Sequence, residues 1–201
     1  GLVPRWSKSK TQAGRPINAR AETLETRPVF RDAFAQRRCV VAADGFFEWA
    51  KTDGGRVPYW FRPSQGRLLY MAGLWDHWVD DATKEKMCSF SIVTTDANED
   101  VEALHDRMPL ILKADQIDAW IEGDRETAKS LLKPSPAGTL ERTRVSSRVN
   151  SVKNDDPACL LEGEEADVAP KPARRSKAKK QAEVLSLFGA EPETGAKAPR
   201  H

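Results

Sequence analysis

Asp44-Gly45 is the feature that most constrains how this chain folds. Before it, Cys39-Val40-Val41-Ala42-Ala43 is a run of small and β-branched residues that reads as a buried strand. After it, Phe46, Phe47 and Trp49 resume the apolar character. The Asp-Gly pair reads as a turn, because glycine takes positive φ without steric cost. Glu48 therefore sits among large aromatic rings. A carboxylate held there loses hydration, so its neutral form is favoured and its pKa rises. Such a group suits proton transfer near neutral pH. A strand also alternates faces, and Glu48 pointing to water is the simpler reading of this stretch alone.

The rest of the chain repeats the strand pattern. Val57–Phe61 and Leu68–Ala72 read as strands around a Pro63-to-Gly66 turn, and Met87–Thr94 alternates as a strand. Leu110–Leu112 is a short strand, and Thr143–Val149 is expected to be the last one. Helices are few. Pro28 opens a short amphipathic helix over residues 28–37, Asp96 with Glu99 resembles a capping pair, and Asp115 and Asp124 open two more. No βαβ rhythm occurs. The expectation is an α+β fold: a strand-rich, barrel-like core of mixed or antiparallel sheets with short flanking helices.

Composition sets limits on partners and compartment. Of 201 residues, 32 are Lys or Arg and 30 are Asp or Glu, so the net charge of +2 brings no bulk attraction to nucleic acid. Any such binding must come from local clustering. Cys39, Cys88 and Cys159 are sparse and unpaired in spacing, which predicts reduced thiols and a cytoplasmic, nucleoid-associated location. No run of eighteen apolar residues exists, so no membrane span is expected. The apolar start Gly1-Leu2-Val3-Pro4-Arg5-Trp6 resembles the middle of a folded segment and carries neither an initiator Met nor a signal-peptide pattern. A missing N-terminal part is expected. Beyond Leu161 the chain turns acidic, then basic, with interspersed Ala and Pro. Residues 1–164 are read as one domain and 165–201 as a disordered charged tail. The apolar cluster at 184–188 within it is either chance or a docking peptide for a partner.

Phosphate-loop, nucleophile-elbow and zinc-protease motifs are absent, and the scattered His and Cys predict no metal or other cofactor. His77, between Trp75 and Trp78, reads as a packing histidine. His105 lies in a polar loop beside Asp106 and Arg107, where opposite charges can hold its tautomer for proton transfer. Arg5-Trp6, Asn18 with Arg20, and His105 with Arg107 place guanidinium forks, suited to phosphates, near an aromatic that can stack on unpaired bases.

Four ordered segments resemble the SOS response-associated peptidase family: Gly1–Trp6, Asn18-Ala19-Arg20-Ala21-Glu22-Thr23, Gly45-Phe46-Phe47-Glu48-Trp49 and His105-Asp106-Arg107-Met108-Pro109. Val93–Asn98 and Val145–Asn150 support them, and the resemblance covers roughly residues 1–160. It implies abasic-site processing in single-stranded DNA by a monomer. An N-terminal Cys, freed by removal of Met, condenses with the ring-opened sugar aldehyde to give a thiazolidine, a covalent DNA–protein cross-link. The word peptidase would then refer to removal of the family's own Met. The resemblance makes Glu48 the proton-transfer carboxylate, His105 its partner at the sugar and Asn18 the positioning amide. Arg20 and Arg107 would hold phosphates, and Trp6 would stack on a base or line the groove. This chain carries no such Cys, since Cys39, Cys88 and Cys159 have no free α-amine. An inactive chain is therefore expected as printed, and a non-covalent single-stranded DNA-binding module is the alternative.

Overall fold

A computed structural model describes residues 1–163. The expected tail at 165–201 and its apolar cluster at 184–188 lie outside the described residues. The N-terminal segment is threaded into the fold rather than free. Leu2 and Val3 are fully buried, Leu2 N–H donates to Pro16 O at 3.0 Å and Val3 N–H to Ser89 Oγ at 2.8 Å.

In chain order the elements begin with strand β1 (Asn18–Arg20), a 3-10 turn at Ala21–Thr23 and helix α1 (Pro28–Gln36). Pro28 presets the first helical φ, and Phe30, Ala33 and Phe34 bury one face at helical spacing. Strands β2 (Arg38–Ala43), β3 (Phe46–Thr52), β4 (Gly55–Pro63), β5 (Leu69–Val79) and β6 (Lys86–Asp96) follow. Then come β7 (Arg107–Pro109), β8 (Ile111–Leu112), helices α2 (Ile117–Ile121) and α3 (Arg125–Ser130), and β9 (Leu140–Arg144). The expected α+β architecture is present, as two sheets with short helices at their flanks.

The larger sheet has six strands in the order β1-β6-β5-β2, with β7 beside β6 and β8 beside β5. Strands β5 and β6 pair only from Gly73↔Ile92 to Val79↔Lys86. Beyond that point they part, and β7–β8 fills the gap. Thr94 pairs Pro109 on one side, Met71 pairs Ile111 on the other, and Leu110 bonds both Val93 and Ala72. The second sheet is β3-β4-β9, antiparallel throughout.

Several expectations are corrected here. Asp44-Gly45 joins two strands that do not pair with each other: β2 pairs β5, and β3 pairs β4. It is a crossing between sheets. Gly45 does not have positive φ. A Cβ there would lie 2.1 Å from Trp60 Nε1 and 2.4 Å from Phe61 O, so close approach requires the glycine. β2 is a half-buried edge strand. Residues 99–104 form turns, and Asn98 before them spends its side-chain amide on Asp100, Ser135 and Pro136. The last strand ends at Arg144. Ser146 then accepts from Arg148 N–H and opens a 3-10 turn. His77 points outward and is half exposed.

Candidate active site

The parting of β5 and β6 makes a floor, and β1 supplies one rim. Parallel pairing sets Asn18 opposite Ile92 and Arg20 opposite Thr94, while Ala19 between them is fully buried against Val93. The two-residue period of a strand therefore lifts Asn18 and Arg20 to the same side. Across the floor, β7 brings Arg107, Met108 and Pro109, with His105 just before it. The second sheet closes the wall with Phe46, Phe47 and Glu48. The result is a cleft of about 620 Å³, lined also by Thr23, Arg27, Met71, Ile92 and Thr94.

The structure thus gathers Asn18, Arg20, Glu48, His105 and Arg107, which lie far apart in sequence, around one space. Trp6 is half exposed and is not among the lining residues. Its expected place in the groove is not in this cleft.

Glu48 is half-buried in β3 opposite Tyr59. Burial pushes its carboxyl above the usual carboxylate range, against the pull of His105, a Trp49 backbone hydrogen bond and Arg56. His105 is oriented by backbone. Arg107 N–H donates to its Nδ1 at 2.9 Å, while Arg107 O and Asp106 Oδ1 each lie 3.2 Å from the same nitrogen; with Nδ1 accepting from Arg107, the ring proton sits on Nε2. A half-buried acid and an Nε2–H donor on facing walls can exchange protons with a reacting carbonyl between them.

Arg107 is not the open fork that sequence suggests. Its guanidinium donates to both Glu22 oxygens at 2.7 and 3.0 Å, to Asp96 at 2.7 Å and to Thr94 O at 2.6 Å. Every terminal N–H is thereby used. The Arg107 hydrogen bond holds the Glu22 carboxyl below the usual carboxylate range. A phosphate would have to displace Glu22 to reach this fork. Arg20 differs, because its exposed guanidinium makes no hydrogen bond or ion pair among the described residues.

Sequence reasoning missed Arg27, Glu22, Thr23, Met71 and Thr94. Glu22 and Thr23 lay within a segment already singled out, and Arg27 stands just before the helix-opening Pro28. Thr94 lay in the supporting segment Val93–Asn98, while Met71 carries no local signal, since only strand register brings it to the floor.

The chain is similar to known proteins in sequence and in fold. The SOS response associated peptidase (SRAP) family model matches residues 1–152. Abasic site processing protein YoqW of Bacillus subtilis (strain 168) is 37% identical over 164 residues, covering 80% of this chain and 73% of that protein. Abasic site processing protein HMCES of Gallus gallus is 36% identical over 186 residues, covering 80% of this chain and 55% of that protein. A crystal structure of a Bacteroides thetaiotaomicron protein superposes with a TM-score of 0.75 at 29% identity, covering 82% of this chain and 75% of that one. By family model and by relatives of this similarity, the chain belongs to the SOS response-associated peptidase family.

Proposed function

We propose that the cleft binds single-stranded DNA at abasic sites and serves a covalent DNA–protein cross-linking reaction. The observation that carries this reading is the convergence of Asn18, Glu48 and His105 on one cleft, with Arg20 unpaired at its rim. The names of the relatives, abasic site processing proteins, supply the substrate class.

The chemistry follows from the groups present. An open abasic sugar offers an aldehyde. A primary amine adds to its carbon, and the resulting hydroxyl leaves as water once it receives a proton. Glu48, whose carboxyl burial pushes above the usual carboxylate range, is suited to give that proton and to take it back in the reverse direction. His105 Nε2–H is suited to hold the sugar oxygen, and the Asn18 amide, without a side-chain partner among the described residues, to orient the amine. Where the amine belongs to an N-terminal Cys, its thiolate adds to the iminium carbon and closes a five-membered thiazolidine ring. Among the 201 residues printed, none joins an α-amine to a thiol.

A gel time course on a single-stranded oligonucleotide with one abasic site tests this. The chain as printed should give no adduct that survives heating without reductant. The chain carrying an added N-terminal Met-Cys-led segment from a relative should give one, and Glu48→Gln in that protein should slow its formation by about 10²- to 10⁴-fold. If the extended chain binds such DNA without any adduct, the non-covalent binding module is the right reading. Equal rates for wild type and Glu48→Gln would remove Glu48 from the chemistry.

A further inference from the structure

We infer that Arg27, together with Arg20, forms a two-point clamp for the phosphodiester backbone of the nucleic acid in the cleft, while Arg107 is a strut of the protein. This rests on the proposed function for the identity of the ligand and adds to it the residues that hold the strand.

Three observations carry it. The first is the company Arg27 keeps. It is exposed, lines the cleft, and its guanidinium lies over the ring of Phe30, 5.3 Å from the centroid. The nearby carboxylate that could neutralise it, Glu25, is taken by Arg125 at 2.6 Å and Lys129 at 3.0 Å. Arg27 has no ion pair among the described residues.

The second is its position on the helix. Arg27 is the N-cap residue of α1, and its side chain makes no capping bond. A helix N-terminus carries partial positive charge, so a cation there is disfavoured and an anion is favoured. Arg27 therefore adds charge where it costs stability, in the one place where it reinforces attraction for a phosphate. Its backbone is already fixed, with Arg27 N–H donating to Thr23 O at 3.0 Å and Thr23 Oγ1 to Arg20 O at 3.3 Å. One short, tied segment thus presents both forks, which limits the entropy lost on binding.

The third is the charge balance of the cleft. Arg107 with Glu22 and Asp96 forms a trio with one negative charge in excess. Arg20 offsets that excess. Ionised Glu48 adds another negative charge, on which Asp106 and Arg56 act with opposite signs, and Arg27 is the lining residue that brings the sum to zero. Without Arg27 these groups would carry one negative charge in excess. With it, two unpaired planar forks face the solvent, the geometry that suits phosphate oxygens.

The test is binding of an undamaged single-stranded oligonucleotide to this chain across a salt series, which needs no abasic chemistry. Each lost phosphate contact lowers the slope of log affinity against log salt by about one. Arg27→Ala and Arg20→Ala should each do so, the double variant should lose about two, and Arg27→Lys should keep the slope. Arg107→Ala should weaken binding without flattening it, because it removes no phosphate contact. Thermal melting of each variant, with Arg27→Gln as a second neutral substitution, separates loss of contact from loss of fold. A wild-type slope in both Arg27→Ala and Arg27→Gln overturns the clamp, as does a flattened slope in Arg107→Ala alone, or absence of binding by the wild type. If instead the slopes change as expected and the extended chain forms no adduct, the clamp stands and the covalent reading falls.

Discussion

The two ends of helix α1 use arginine in opposite ways. At the N-terminal end Arg27 is exposed and unpaired, facing the cleft. At the C-terminal end Arg37 and Arg38 are buried and occupied. Arg37 reaches Asp76, itself nearly fully buried and also bound by Arg5. Arg38 donates to the carbonyls of Phe34, Ala35, Trp120, Ile121 and Gly123, and so caps α1 and α2 together. Cations at a helix C-terminus satisfy orphan carbonyls and the negative end of the dipole. The same residue type thus serves folding where its donors are consumed, and is available for a ligand where they are left open. Arg107 shows that lining a cleft is not enough, because Glu22 and Asp96 consume its fork.

The comparison breaks most sharply at Arg38. Arg38→Met keeps much of the apolar stem but leaves buried carbonyls without a donor. Urea unfolding should show a loss of about 3–5 kcal/mol, and a loss below about 1 kcal/mol would mean that the bonds to the two helices are dispensable. Asp76→Asn should cost less, about 1.5–3 kcal/mol, since the amide keeps an acceptor for Arg37 but loses the charge. Arg27→Ala has the opposite sign. Removing a cation from the positive end of α1 should leave stability unchanged or raise it by about 0.3–1 kcal/mol, while weakening DNA binding. A clear loss of stability in Arg27→Ala would put Arg27 on the folding side of the comparison.

The smallest effect is the pH dependence set by Glu48. Burial raises its folded pKa above the ordinary 4.5, so the folded protein holds this proton more tightly than the unfolded chain. Stability from this group is therefore full below the unfolded value and is lost as pH rises through the folded one. Glu48→Gln removes that loss. Its melting temperature should exceed wild type at neutral pH, and the gap should close as pH falls below the ordinary carboxylate value. A gap that does not vary with pH would mean that Glu48 is as well hydrated as a surface carboxylate.

Much of this was legible in the sequence, and the failures share a cause. Residues 28–37, 46–49 and 87–94 announced their elements by local period, and the structure keeps them. Glu48 and His105 were legible as candidates; the burial of Glu48 comes from distant chain, whereas the contact that orients His105 comes from Arg107, two residues on. Gly45 was legible as essential but for the wrong reason, since Trp60 approaches it from a strand that sequence does not place there. Arg107 read as a free fork because Glu22 lies far from it in sequence. Arg38 carries no local mark of its burial, and nothing in the neighbouring sequence reveals that two helices end beside it. Period and turn chemistry are local, whereas who neutralises whom is decided by register and crossing.

The most direct measurement is a chemical-shift map of the protein on addition of a single-stranded oligonucleotide carrying an unreactive abasic analogue. Perturbations are expected at Asn18, Arg20, Thr23, Arg27, Glu48 and His105, with Arg38 and Asp76 unmoved. Shifts that leave the cleft untouched and gather elsewhere on the surface would contradict it.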